Sequence, residues 1–256
     1  MFHLPARFSN YDKLLVAGVL ALAGTSWLRA DEFKCSSGPA RVAVIELYTS
    51  EGCSSCPPAD RWLEALRNQR GLWRDFVPIG FHVNYWDNLG WKDRFAARQF
   101  TERQYALAAA WGSSSVYTPC FALDGREWHP GADLRAPEGD SPGPLSVILG
   151  DDGICHVRFV PAAGAPALAL EVHVVLLGGG YASKVTAGEN RGEVLHHEFV
   201  ALALADARMP LEAGAAMAEL KLPVPANPGA ERRALAAWVT RGGRLEPVQA
   251  TGGWLN

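Results

Sequence analysis

The sequence contains no run of basic residues, and its formal net charge is −3 over 256 residues. Nucleic-acid binding needs clustered Lys and Arg to neutralise phosphates, so that partner class is excluded. The apolar stretch Leu14–Leu28 has fifteen residues, short of the roughly 20 that a membrane-spanning helix needs. No internal repeat is visible, so the chain is not a solenoid. Cysteine is scarce and odd in number: five residues leave one thiol unpaired in any intramolecular scheme. There is one Cys-x-x-Cys and no second copy, so a four-cysteine metal knuckle is excluded.

The N-terminus says where the chain works. Arg7 and Lys13 precede Leu14–Leu28, and small residues follow. A basic start, a short apolar core and a small-residue exit describe a secretory signal peptide over residues 1–30, with cleavage expected after Ala30. An uncleaved anchor is the alternative. Cys35 follows Glu-Phe-Lys, so a lipoprotein signal is not indicated. The expectation is an exported protein, periplasmic or secreted, free of the membrane once the leader is removed. Loss of Arg7, Lys13, Arg29 and Asp12 takes away a net +2 and leaves a mildly acidic mature chain of about 226 residues.

Cys53-Ser54-Ser55-Cys56 is the feature that points most directly at chemistry. It sits between the apolar run Val42–Tyr48 and a helical pattern opening at Pro57-Pro58. Two residues between cysteines let the sulfurs close a small ring, and a helix N-terminus stabilises a thiolate there. In an oxidising compartment such a pair is a disulfide, structural or catalytic.

Residues 41–135 alternate strand-like and helical patterns. Val42–Tyr48, Phe76–Tyr85 and Val116–Leu123 read as strands. Trp62, Leu63 and Leu66 share one helical face, as do Phe100, Gln104, Leu107 and Trp111. Asp124-Gly125 supplies a hairpin turn. Residues 136–144, rich in Pro, Gly, Asp and Ser, read as a linker after a short N-terminal segment 31–40 and this first domain. From 145 to 256 the pattern is short strands bounded by Gly or Pro, with Ala201–Ala207 open to a helical reading. The fold class expected is an α/β domain followed by a mainly antiparallel β-sandwich-like domain.

A strand, Cys-x-x-Cys, a helix and, some sixty residues on, an x-Pro before another strand resemble the thioredoxin layout. The stretches Glu46–Asp60, Phe81–Asp93 and Ser115–Pro119, and more weakly Gly188–Gly192, are similar to an exported bacterial family, domain-of-unknown-function family 1223, of the thioredoxin-like superfamily. The resemblance implies that Thr118-Pro119 is cis and docks a substrate backbone against the sulfurs. It further implies that Cys53 is the exposed nucleophile and that Cys56 resolves the mixed disulfide. Gly52 and Ser54-Ser55 stand where thioredoxins carry Trp and Gly-Pro. Glu46 is the nearest counterpart of their buried acid and has two readings, proton relay or salt-bridged strand residue.

Three further features stay open. Cys120 is a buried small hydrophobe, a third exchange partner, or, with Cys53 and Cys56, a ligand for a soft metal such as copper. His82 is the one nearby histidine candidate for that set; His196 and His197 are adjacent strand residues and point to opposite faces. Cys35 and Cys155 are candidates for a disulfide between the N-terminal segment and the second domain. Trp86, Asp87, Trp91 and Asp93 either wall a groove over the cysteines or pack locally. Gly139–Gly143 fits Gly-x-Ser-x-Gly, but Pro142 has no N–H for an oxyanion, so the hydrolase reading is rejected. Thiol-disulfide exchange on protein thiols and disulfides, with no organic cofactor, is the leading functional expectation. A non-catalytic binding module with a structural disulfide is the alternative, and a copper chaperone is a third.

Overall fold

A computed structural model describes residues 1–2, 32–131, 134, 139–165, 169–223 and 229–255. The expected leader lies almost wholly outside the described residues. The first half contains β1 (Phe33–Ser36), β2 (Ala43–Thr49), α1 (Pro57–Ala65), β3 (Phe76–His82), α2 (Arg98–Ala110), β4 (Cys120–Leu123) and β5 (Arg126–Trp128). Then come β6 (Leu145–Leu149), β7 (Ile154–Phe159), β8 (Leu170–Gly179), β9 (Tyr181–Lys184) and β10 (Val194–His197). The last are β11 (Val200–Met209), β12 (Leu211–Glu212), β13 (Ala215–Lys221), β14 (Arg232–Arg241) and β15 (Pro247–Leu255).

This architecture corrects the expected fold class. Strands dominate, only two α-helices occur among the described residues, and no separate thioredoxin-like α/β domain is followed by a separate sandwich. A single eight-stranded mixed sheet runs β15-β14-β8-β11-β3-β2-β4-β5, four strands from before residue 130 and four from after 169. The join is a parallel contact between β11 and β3 at Val200 and Gly80, where Gly80 N–H donates to Phe199 O at 2.7 Å. β3 would otherwise present unpaired backbone along that edge, and β11 covers it. Asp31–Asn256 is accordingly one unit. A Pro/Gly-rich stretch marks a chain excursion, but nothing local says whether the chain rejoins the same sheet.

Four strands of the second half join β1 of the first in a five-stranded sheet, β1-β6-β7-β13-β12. It packs on the antiparallel part of the large sheet, so β8 and β14 are covered on both faces. Alternation then splits their side chains between two cores. Val172, Val174, Leu235, Ala237 and Val239 join Leu145, Val157 and Phe159 of the smaller sheet. Val175, Leu177, Ala234, Ala236 and Trp238 face the other way, toward Tyr48, Phe81 and Phe100. Ala201–Ala207 belongs to β11 and not to a helix, because β8 pairs with it through Met209.

β2 and β3 run parallel from Ala43–Phe76 to Thr49–His82. Their C-terminal ends therefore sit side by side, and the chain leaves each into a loop bearing polar residues. Asp124 (φ 51°) and Gly125 (φ 75°) make the tight β4–β5 hairpin. A Cβ on Gly125 would stand 2.9 Å from Leu245 O. Gly125→Ala is therefore expected to lower stability by about 1–3 kcal/mol in urea titration.

Candidate functional site

The loop leaving β2 folds on itself before α1 begins. Cys53 N–H donates to Ser50 O at 3.1 Å, and Cys56 N–H to Cys53 O at 3.2 Å. Cys56 is the N-cap of α1, and Pro57-Pro58 fill the positions that have no intrahelical use for an N–H. Cys53 and Cys56 are joined as a disulfide, with Cα atoms 5.4 Å apart. Cys53 Sγ lies 3.3 Å from Ser55 Oγ and 3.8 Å from Thr118 O. The Thr118-Pro119 bond is cis. Trp86 Nε1–H donates to Thr118 Oγ1 at 2.8 Å, and Trp86 Cβ closes on Gly52, where an added Cβ would meet it at 3.1 Å. Cys53, Cys56, Thr118, Pro119 and Trp86 are thus brought together. The expected exposure of Cys53 is corrected: both cysteines are 0 % exposed.

A segment from the far half of the chain closes over this loop. Between β9 and β10, Asn190 Nδ2 donates to both Glu51 O and Cys53 O at 2.9 Å. Glu189 Oε2 accepts from Ser54 N–H at 3.0 Å. Gly188 (φ 73°) fits against Trp91, whose Cβ would stand 3.1 Å from a side chain there. Asn190 is buried. Residues 188–192 thus clasp the cysteine loop through its backbone. The motif is visible in the sequence, but its contact with Cys53 spans 137 residues and has no local signature.

Behind the pair lies a buried acid–histidine cluster that the sequence did not reveal as a unit. Glu51, Asp60, His82, Asp93 and His197 are all buried. His82 Nδ1 and Asp93 Oδ2 are 2.6 Å apart. Asp93 also accepts from Glu51 N–H and Phe95 N–H, at 2.9 Å each. Trp91 Nε1–H donates to Glu51 Oε2 at 2.7 Å, and His197 Nε2 stands 3.3 Å from Glu51 Oε1. The expected splitting of the adjacent histidines holds: His196 is exposed and His197 buried. Trp91 and Asp93 do not line an open groove; they hold this cluster and the clasp.

The cluster fixes a pH dependence. Burial would raise the Asp93 carboxyl, but His82 and the backbone donors hold it below its ordinary value. Burial would depress His82, and Asp93 overrides this and holds it above its ordinary value. Asp93 therefore contributes stability above the ordinary Asp range, about pH 4, and loses it as pH falls through the depressed value. His82 contributes fully below about pH 6.5 and loses its part as pH rises through the elevated value. Asp93→Asn is expected to remove the acid-side loss, read from urea midpoints between pH 3 and 7.

Glu46 is not positioned as a proton relay. Arg103 Nε and Nη2 donate to its two oxygens at 2.7 and 2.8 Å, and Tyr48 OH donates to Oε2 at 2.7 Å. Cys120 is a buried free thiol, pushed up to about 11 by burial, with Sγ 4.0 Å from Phe121 O. Among the described residues, no group of three or more His, Cys, Asp or Glu is arranged to hold a metal ion. This corrects the soft-metal reading of Cys53, Cys56 and Cys120.

Cys35 and Cys155 are free as well. They lie on β1 and β7, which flank β6 on either side. Strands two apart are roughly 10 Å from each other, beyond the reach of about 7 Å for a disulfide. Thiol titration in denaturant without reductant is expected to count three free thiols; a count of one would show a Cys35–Cys155 bridge.

Comparison with known proteins gives a family and a fold. The chain is similar to the crystal structure of protein AGR_C_4864 from Agrobacterium tumefaciens. The identity is 27 % over 84 % of this chain and 94 % of that one, with a TM-score of 0.56. It is also similar in fold to HBP35 of Porphyromonas gingivalis, at 15 % identity over 84 % of this chain and 76 % of that one, TM-score 0.57. No curated protein matches the chain. The family described as protein of unknown function (DUF1223) matches residues 44–240, a span that includes the cysteine pair, the clasp and every member of the buried cluster. The chain belongs to that family.

Proposed function

We propose that the protein exchanges disulfides with protein thiols through Cys53 and Cys56, and that residues 188–192 hold the oxidised pair closed. The observation that carries this reading is the placement of the disulfide. It closes at the N-terminus of α1, and Cys53 Sγ faces the Thr118 carbonyl. The three free thiols lie in strands, each pushed up to about 11 by burial. Only the pair has a helix N-terminus to stabilise a thiolate.

In the reduced protein the Cys53 thiolate attacks a substrate disulfide, forming one S–S bond and releasing one substrate thiolate, which takes a proton from water. Cys56 then attacks Cys53 Sγ, loses its proton, closes the internal disulfide and releases the second substrate thiolate. The substrate gains two electrons and two protons, and the pair loses them. The electrons reside on sulfur, so no organic cofactor enters. The Thr118-Pro119 segment, beside Cys53, is where the substrate backbone docks. Export by residues 1–30 belongs to the same reading, since it places the pair among oxidised partners.

Insulin turbidity tests it. The reduced mature chain is expected to reduce insulin disulfides, and Cys53→Ser to abolish the activity. No turnover by the reduced wild type would overturn the reading. Full burial of both cysteines favours a second reading, a staple that fixes the β2–α1 loop.

A further inference from the structure

Both sulfurs of the pair are fully covered, yet exchange needs a thiolate to reach Cys53 Sγ. Some part of the cover must move. The Thr118-Pro119 segment runs straight into β4, and Trp86 is bonded to it. The hairpin β9–β10 is held differently. Its strands pair with each other and, among the described residues, with no strand of either larger sheet. Its tip is bonded internally, Val185 N–H to Glu193 O at 3.0 Å and Gly192 N–H to Val185 O at 2.9 Å. The arm and the clasp it carries are therefore one piece.

Where this arm leaves the large sheet, both junctions hold a residue with left-handed backbone. Gly180 (φ 75°) follows the end of β8, and Phe199 (φ 57°) precedes β11. The second junction is anchored: Phe199 packs on Trp73 and Trp254, and Glu198 is held by Arg67 and Arg232. Rotation at these two points moves the arm and leaves the large sheet intact. The surface under the arm is poorly satisfied. Ser183 Oγ and both ring nitrogens of His197 on the arm are buried without a hydrogen-bond partner, as is Glu51 Oε1 on the cysteine loop. Such atoms are costly, and water supplies their missing bonds when the arm lifts. That gain offsets the loss of the Phe95 contacts with Tyr181 and His197 and of the two Asn190 bonds.

We propose that residues 181–197 form a lid, hinged at Gly180 and Phe199, that lifts as one piece to uncover Cys53. The inference rests on the exchange reading above and deepens it: the closed form shields the disulfide, and the open form exchanges. Opening exposes only the arm and the surface beneath it, so it costs less than unfolding the sheets.

The test is the rate of Cys53–Cys56 reduction by excess dithiothreitol, measured against urea below the unfolding transition. Urea acts in proportion to the surface exposed. A lid makes the logarithm of the rate rise with urea at about a tenth to a third of the slope of global unfolding. A rate independent of urea would mean that the sulfurs are reached without opening, and the full global slope that they are reached only by unfolding; either overturns the lid. Gly180→Ala, at the hinge, would place a Cβ 2.6 Å from Glu231 Cβ at a positive φ. It is expected to speed reduction on the order of tenfold. Gly188→Ala, at the tip, meets Trp91 Cβ at 3.1 Å and is expected to act in the same direction. A faster Gly188→Ala beside an unchanged Gly180→Ala would confine the motion to the tip and overturn the lid. If the slope is intermediate but the reduced wild type leaves insulin intact, the exchange reading fails and the lid stands.

Discussion

Asn190→Ala will make the Cys53–Cys56 disulfide about thirtyfold faster to reduce with dithiothreitol, because its two hydrogen bonds, worth about 2 kcal/mol together, hold the clasp shut. Asn190 Nδ2 reaches the carbonyls of Glu51 and Cys53 at 2.9 Å each. Alanine leaves both carbonyls without that donor. Reduction through an opened loop follows the population of the open form, and that population rises by the same factor. The variant should keep its cooperative unfolding, since the residue lies in a loop and not in either core. Glu189, fully exposed, accepts from Ser54 N–H; Glu189→Gln should have a smaller effect in the same direction. An unchanged reduction rate in Asn190→Ala would mean that the clasp does not control access.

Glu46→Gln will cost about 3–5 kcal/mol of stability, the typical loss when one partner of a buried ion pair is removed. Arg103 is 9 % exposed, and its guanidinium is matched by both Glu46 oxygens on one side and lies 4.9 Å over the Trp238 ring on the other. Without the carboxylate it keeps its charge and loses its counter-ion. In a chain of this size the loss lowers the melting temperature by roughly 10 °C. Replacing both residues, Glu46→Leu with Arg103→Met, should recover most of the loss, because the desolvated charge then disappears. Equal melting temperatures for wild type and Glu46→Gln would contradict the assignment of this pair.

The local elements were legible because their signals are local. Pro57-Pro58 after an apolar run opens α1, Asp124-Gly125 turns the β4–β5 hairpin, and period-two or continuous apolar runs mark β2, β3, β6, β7 and β8. The Cys53–Cys56 loop and Trp86 were likewise named from residue type and spacing, and Thr118-Pro119 from the family resemblance. The architecture was not legible in the same way. The eight-stranded sheet depends on Gly80 meeting Phe199, and no composition near residue 140 reports that the chain will return to β3. In β15, Gly252 and Gly253 admit close neighbours from far along the chain, Trp73 against Gly252 and Phe33 against Gly253.

The site shows the same division. Glu46 sat in the right strand to be a proton relay, but only the three-dimensional position of Arg103 shows it to be a salt bridge. Asp60 and His197 carried no sequence signal, since an Asp in a first helical turn and a His in a strand are ordinary at the surface. Their burial beside Glu51 makes them notable, and that burial is a long-range property.

The central claim is that Cys53–Cys56 is a working redox pair and not a staple. Its reduction potential, measured by equilibrating the mature protein against glutathione or dithiothreitol, tests this most directly. The account predicts a value between about −120 and −270 mV, the range of exchange proteins. A value well below about −300 mV, where structural disulfides lie, would contradict it.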